Sequence, residues 1–255
     1  MIKLLDNTRI SRYNYFYMMC MMVYLGYATV FARSLGNIAT WGNTFALIIT
    51  IIFINKNKVK FKKNYIISIL VFLLYALVAT VNNGIISPMW ISQWIIWLTI
   101  AYCIIYTFKE KFFIVFETLM YHLCVISFFF WIIDILVPST LNSIASVLHF
   151  STAHGGEKSN VAYSLIFYTL GSLEELSDFV FIKRNAGFAW EPGAFASYIC
   201  MAILCNSFRK NFKIKKNIPL IVFVIALLST QSTTGTITFL AMIASWMIIE
   251  RKYWY

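Results

Sequence analysis

KNKVKFKKNYIISILVFLLYALVATVNN, Lys56–Asn83, holds five lysines in its first eight residues and no charge thereafter. A run of roughly 20 mainly apolar residues is enough to cross the hydrocarbon core of a bilayer. Residues 65–82 therefore read as a spanning helix, and the lysines as a basic loop at its cytoplasmic end. The rest of the chain repeats the pattern. It is 60% hydrophobic, 18% aromatic and only 12% charged, where soluble domains run at about 25% charged. Further apolar runs fall at 14–32, 38–54, 90–107, 112–137, 190–207, 218–232 and 235–249. The first is long enough to span and a second follows closely, so it is expected to be an uncleaved span rather than a signal peptide.

The basic residues test this count. With eight spans, all but four of the 21 lysines and arginines fall on one side, leaving Arg33, Lys158, Lys183 and Arg184 on the other. That asymmetry places both termini in the cytoplasm. It also accounts for the net charge of +11 without nucleic acid, because the basic loops face anionic lipid headgroups. The expected architecture is all-α: a single polytopic transmembrane domain over 1–255, with about eight transmembrane helices and one long outer loop at about 138–184. Within that loop, 161–173 is apolar but too short to span, and is expected to be an interfacial or re-entrant helix.

The chemistry-bearing residues are few. Cys20, Cys103, Cys124, Cys200 and Cys205 lie inside apolar runs without ligand spacing, and read as packing residues. His149 and His154 are five apart with no third ligand, so no metal site is expected. Either could serve as an acid or base, or be a solvated loop residue. His122 reads as an internal hydrogen-bonding residue, and Glu117 and Asp134 as residues that line a cavity or pair with a neighbouring helix. Trp90, Trp94 and Trp97 fit an aromatic belt at the outer interface. GxxxxGK, GxSxG, HExxH and CxxC are absent, which removes the simple nucleotide-hydrolase, serine-hydrolase and zinc-protease readings.

Two polar stretches stand out. In RNAGFAWEPGAFA, Arg184–Ala196, the residue before proline is disfavoured in helical geometry and proline suits the first helical position. A helix should therefore begin at Pro192 with Glu191 near its N-cap. Gly187 and Gly193 permit close backbone approach or unusual dihedrals. From Pro192 to Ser207 the helix would rise about 24 Å, short of the bilayer core, so its mouth is expected below the headgroups. Free N–H groups there, with Arg184 beside them, suit an anion. Alternatively, Lys183 and Arg184 are ordinary snorkelling residues and Glu191 a plain cap. In LLSTQSTTGTIT, Leu227–Thr238, the cluster Ser232, Thr233 and Thr234 either offers hydroxyls to a sugar or phosphate or caps the helix that follows.

Together these motifs, Arg184-Asn185-Ala186-Gly187, then Glu191-Pro192-Gly193, then Ser232-Thr233-Thr234-Gly235, resemble the O-antigen and polysaccharide polymerase family, distantly related to the O-antigen ligases. The specific part is R-x-x-G-x-x-x-E-P; elsewhere only hydropathy matches. Where relatives often carry Ser-Arg-Thr-Gly this chain has Ser-Thr-Thr-Gly. It also ends at Tyr255, where relatives continue through a further outer loop, which implies a short or truncated member. The resemblance implies an enzyme of the bacterial cytoplasmic membrane with its active site facing outward. It would join polyprenyl-diphosphate-linked repeat units into O-antigen or capsule, with no cofactor, a lipid-linked glycan as substrate, and a flippase and a chain-length regulator as partners. Arg184 would hold diphosphate and Glu191 would orient or deprotonate the acceptor hydroxyl. Gly187, Pro192, Gly193, Ser232, Thr233, Thr234 and His154 would line the substrate. The competing expectations are an O-antigen ligase and a non-enzymatic polysaccharide transporter or accessory protein.

Overall fold

The computed structural model describes residues 11–25, 39–83, 88–148, 151–153, 161–165, 167–170, 183–210 and 217–251. The helices are α1 (Arg12–Leu25), α2 (Ala39–Asn57), α3 (Lys63–Asn83), α4 (Pro88–Phe108), α5 (Phe112–Leu136), α6 (Pro138–Leu148), α7 (Pro192–Lys210), α8 (Ile218–Thr230) and α9 (Thr233–Arg251). A single 3₁₀ turn, Lys109–Lys111, joins α4 to α5. A helix overlies most of the described part of each of the eight expected spans; Val137, Trp190, Glu191, Gln231 and Ser232 lie outside the helices. Two helical stretches, Lys63–Asn82 and Ile91–Leu136, are long and apolar enough to cross a membrane.

The packing has two halves that share α5. On one side α7 packs against α8, α5 and α9; on the other, α1, α2 and α4 pack together and touch α5 through α1 and α4. The centre of the first half is Phe195, Ile199, Ala202, Ile203 and Phe223, all fully buried. That of the second is Tyr17 stacked on Phe53, with ring centroids 3.7 Å apart. Helix α3 lies along α4 and turns Ile66, Leu70, Val71, Leu74, Leu77 and Val81 outward, the last 78% exposed. Fully burying such a side chain is worth roughly 1.5–3 kcal/mol, and these, more than half exposed, forgo much of it. A contiguous apolar surface of this kind marks an interface with lipid or another protein.

Two expectations are corrected. The segment expected as an outer loop, 138–184, is not bare of regular structure. Pro138 opens α6, whose Leu141 and Ala145, one turn apart, bury against Phe130, Trp131 and Ile133 of α5 and against Leu165, Tyr168 and Leu170. Nor do the described residues of 161–173 form an interfacial or re-entrant helix. Val161–Ser164 (β2) pairs antiparallel with Ser151–Ala153 (β1) and with Thr169–Leu170 (β3), Tyr163 opposite both Ser151 and Leu170. A short apolar run rich in β-branched and aromatic residues has no period that separates strand from helix, and cross-strand partners decide. Finally, α7 runs on to Lys210, so its 19 residues rise about 28 Å, close to the ~30 Å core. Helix length alone therefore does not place its mouth below the headgroups.

Candidate functional site

Helix α7 begins at Pro192, as expected. The Glu191 carbonyl accepts the N–H of Phe195 at 3.2 Å, the first helical bond, so Glu191 is the N-cap. Its side chain is half-buried. A Cβ built on Gly193 would lie 3.6 Å from Glu191 Oε1 and 3.9 Å from Ser232 Oγ. The Glu-Pro-Gly turn and the Ser-Thr-Thr-Gly turn, some forty residues apart in sequence, thus meet across Gly193. Among the described residues the Glu191 carboxylate has neither an ion pair nor a hydrogen bond.

Arg184 is tied to the same turn. Its Nε donates to the Thr230 carbonyl at 3.1 Å, at the C-terminal end of α8, where the helix dipole favours a cation. Thr230 Oγ1 in turn accepts the N–H of Ser232 at 3.3 Å. The two terminal amino groups of Arg184 have no partner among the described residues. Arg184 and Glu191 do not pair with each other, so a guanidinium and a carboxylate flank one turn without neutralising one another.

The neighbouring cation behaves differently. Lys183 Nζ forms an ion pair with Asp134 Oδ1 at 2.8 Å, its side chain only 17% exposed. Asp134 Oδ2 accepts from the Tyr168 hydroxyl at 3.1 Å, and the Lys183 carbonyl accepts from Trp131 Nε1 at 2.7 Å. Burial, followed by the charge and hydrogen bond of Asp134, pushes the Tyr168 hydroxyl well above its ordinary value. Lys183 is therefore a tether to α5 rather than a snorkelling residue.

Asn185 was not singled out in the sequence, yet it holds the segment in place. It is fully buried, donates from Nδ2 to Ser229 Oγ (3.0 Å) and Ser127 Oγ (3.3 Å), and accepts the Gly187 N–H on Oδ1 at 2.9 Å. Its backbone N–H donates to the Ser229 carbonyl at 3.0 Å. One amide so locks the arginine segment to α5 and α8. The available signal was an amide immediately before the small and apolar run Ala186–Ala189. Gly187 has φ +53°, and the ring of Phe195 fills the space a Cβ would take. Its role is conformational, as is that of Pro192, which is buried at the first helical position.

Ser232 caps α9: its Oγ accepts the Gly235 N–H at 3.2 Å and its carbonyl the Thr236 N–H at 2.9 Å. The capping alternative holds for it, although its hydroxyl proton remains available to donate. Thr233 and Thr234 are exposed in the first turn of α9. His154, with His149, lies outside the described residues.

The other buried charge is structural. Glu117 accepts two hydrogen bonds from Arg209, at 3.0 Å from Nε and 2.6 Å from the terminal nitrogen, and one from Asn206 at 2.7 Å. Asn206 also pairs with Asn217. His122 Nδ1 lies 2.7 Å from the Tyr15 hydroxyl, so it hydrogen-bonds as expected, but it is exposed rather than internal. All five cysteines are free and at least partly buried, and among the described residues no group of side chains could hold a metal. No protein-family model, curated protein or solved structure matches this chain.

Proposed function

We propose that this chain is a multi-pass membrane protein of about eight spans, with both termini on the basic cytoplasmic side, and that it polymerises polyprenyl-diphosphate-linked oligosaccharide units at the outer face of the membrane. The observation that carries this reading is the α8–α9 turn. It holds Arg184, whose terminal amino groups have no partner among the described residues, through Thr230, and approaches Glu191, a carboxylate likewise unpaired among them, through Ser232. Both side chains are half-buried, and charges withdrawn from water without a partner are costly and tend to mark function. The outward apolar surface of α3 and the one-sided distribution of basic residues support the membrane part.

In the reaction, an acceptor hydroxyl oxygen on one lipid-linked unit attacks the anomeric carbon of the donor glycan. The bond from that carbon to the donor diphosphate breaks. Glu191 takes the hydroxyl proton as general base. The guanidinium of Arg184 takes up the charge of the departing diphosphate through parallel N–H···O bonds. The Ser232 hydroxyl and the exposed Thr233 and Thr234 orient the sugar. The diphosphate ester is itself the activated donor, so the step needs no other reactant.

The test is the length of surface glycan after deletion and complementation of the gene in its own host. Loss of long chains with retention of single repeat units supports polymerisation. Long chains that persist on the polyprenyl carrier would instead assign the protein as a ligase, and unchanged glycan would remove it from assembly.

A further inference from the structure

The loop between α2 and α3, with the last turn of α2 and the first residue of α3, carries Lys56, Lys58, Lys60, Lys62 and Lys63, all exposed, and no acidic residue. It is not a slack connection. The C-terminus of α2 closes with the Val59 N–H on the Ile54 carbonyl (3.1 Å) and the Lys58 N–H on the Asn55 carbonyl (3.4 Å), a Schellman arrangement. Val59 is buried beneath it. The Tyr102 hydroxyl of α4 then grips the next segment from both sides: it donates to the Lys60 carbonyl at 2.8 Å and accepts the Lys62 N–H at 3.0 Å. Phe61, 44% exposed, lies 4.9 Å from the Tyr65 ring and 5.7 Å from the Tyr102 ring, centroid to centroid.

Two of the lysines at this end occupy left-handed backbone positions, Lys58 at φ 49° and Lys109 at φ 47°. Such positions ordinarily favour glycine. Lysine there keeps a charge at the expense of backbone ease. Lys56 extends over the Tyr13 ring at 3.8 Å and Lys62 reaches towards Tyr106 at 5.9 Å, while Lys58, Lys60 and Lys63 have no anionic partner among the described residues. Among the described residues, the acids of the α4–α5 connection and the first half of α5 are Glu110, exposed between Lys109 and Lys111, and Glu117, already paired with Arg209.

We infer that the pinned Lys56–Lys63 loop is a binding site for anionic phospholipid headgroups. A hydroxyl-clamped backbone fixes where several lysine stems leave the chain, and Phe61 between Lys60 and Lys62 supplies an exposed apolar ring able to bury at the headgroup–acyl boundary. The inference rests on the membrane part of the proposed function and not on the polymerase part.

The full chain is reconstituted in phosphatidylcholine bilayers with and without phosphatidylglycerol, and its thermal midpoint is read in each. The expected result is an upward shift with phosphatidylglycerol, weakened by salt, that falls by more than half in K58Q/K60Q/K62Q. Y102F, which keeps every charge but releases the clamp, also reduces it. K109Q/K111Q removes a smaller share. An undiminished shift in the triple variant overturns the site, and equal losses from the two lysine sets reduce it to diffuse charge. An intact shift in Y102F overturns the role of the clamp. The same shift from soluble tripolyphosphate in pure phosphatidylcholine would assign a soluble anion instead of a lipid. A chain released from membranes by alkaline carbonate counts against the membrane reading itself, whereas one retained but indifferent to phosphatidylglycerol counts against this site alone.

Discussion

The Cβ that Gly187 lacks would lie 2.6 Å from Cζ of Phe195, and the residue holds φ at +53°. Two separate constraints therefore meet at one glycine of the arginine segment. A left-handed non-glycine residue costs roughly 1–2 kcal/mol and overpacking typically ~1–3 kcal/mol. Gly187→Ala is expected to destabilise the protein by about 2–5 kcal/mol on those terms. Gly187→Ala/Phe195→Leu should recover only the steric part. Thermal midpoints in one detergent check this; full recovery in the double variant would show that the backbone conformation carries no strain.

Gly235 makes a second close approach. A Cβ there would lie 2.6 Å from Ala196 Cβ, so α9 crosses α7 on two small residues, and Cys200 Sγ reaches the Gly235 carbonyl at 3.6 Å. Gly235→Ala should push the helices apart and loosen the turn that holds Ser232. Adding Ala196→Gly should restore stability, with a coupling of about 0.5–3 kcal/mol for residues in contact. Additive effects of the two changes would contradict the crossing.

How much of this was legible in advance depends on the kind of signal. Spans over α3, α4 and α5 follow from long apolar runs and charged flanks, and the start of α7 follows from proline. Helix α6 and the three strands were missed because Pro138–Leu148 is rich in serine and small residues, and because the short strands exist only through cross-strand partners. The motif residues Arg184, Glu191 and Ser232 were visible as types. That they belong together was implied only by the family resemblance, since residue types alone do not say how α7, α8 and α9 pack. Asn185 illustrates the limit: its identity looked incidental, and its importance comes from Ser127 and Ser229 on two other helices.

Glu117 and Arg209 form a bidentate pair with side chains 3% and 16% exposed. Breaking a buried pair by removing one partner costs about 3–5 kcal/mol, whereas replacing both by apolar residues is often far milder. Arg209→Met alone should therefore lower the thermal midpoint more than Glu117→Leu/Arg209→Met does. Equal losses would show that the charges are solvated rather than buried against each other.

Tyr168 supplies the alkaline dependence. Its ionisation is raised in the folded protein by burial and by Asp134. The stabilisation is therefore complete below the unfolded-state value, near 10, and disappears as pH rises through the folded-state value. Tyr168→Phe should lose stability at neutral pH, and the gap from the unsubstituted protein should narrow in strong alkali. Stability curves that stay parallel across that range would contradict the Tyr168–Asp134 contact.

The central claim is that Arg184 and Glu191 act on one lipid-diphosphate-linked substrate. The most direct measurement is the surface-glycan ladder of a deletion host complemented with Arg184→Ala, Glu191→Gln or the unsubstituted chain, each confirmed by quantitative blot to be present in the membrane at equal level. The account predicts a full ladder only with the unsubstituted chain, and single repeat units with either variant. A full-length ladder from either variant would contradict it.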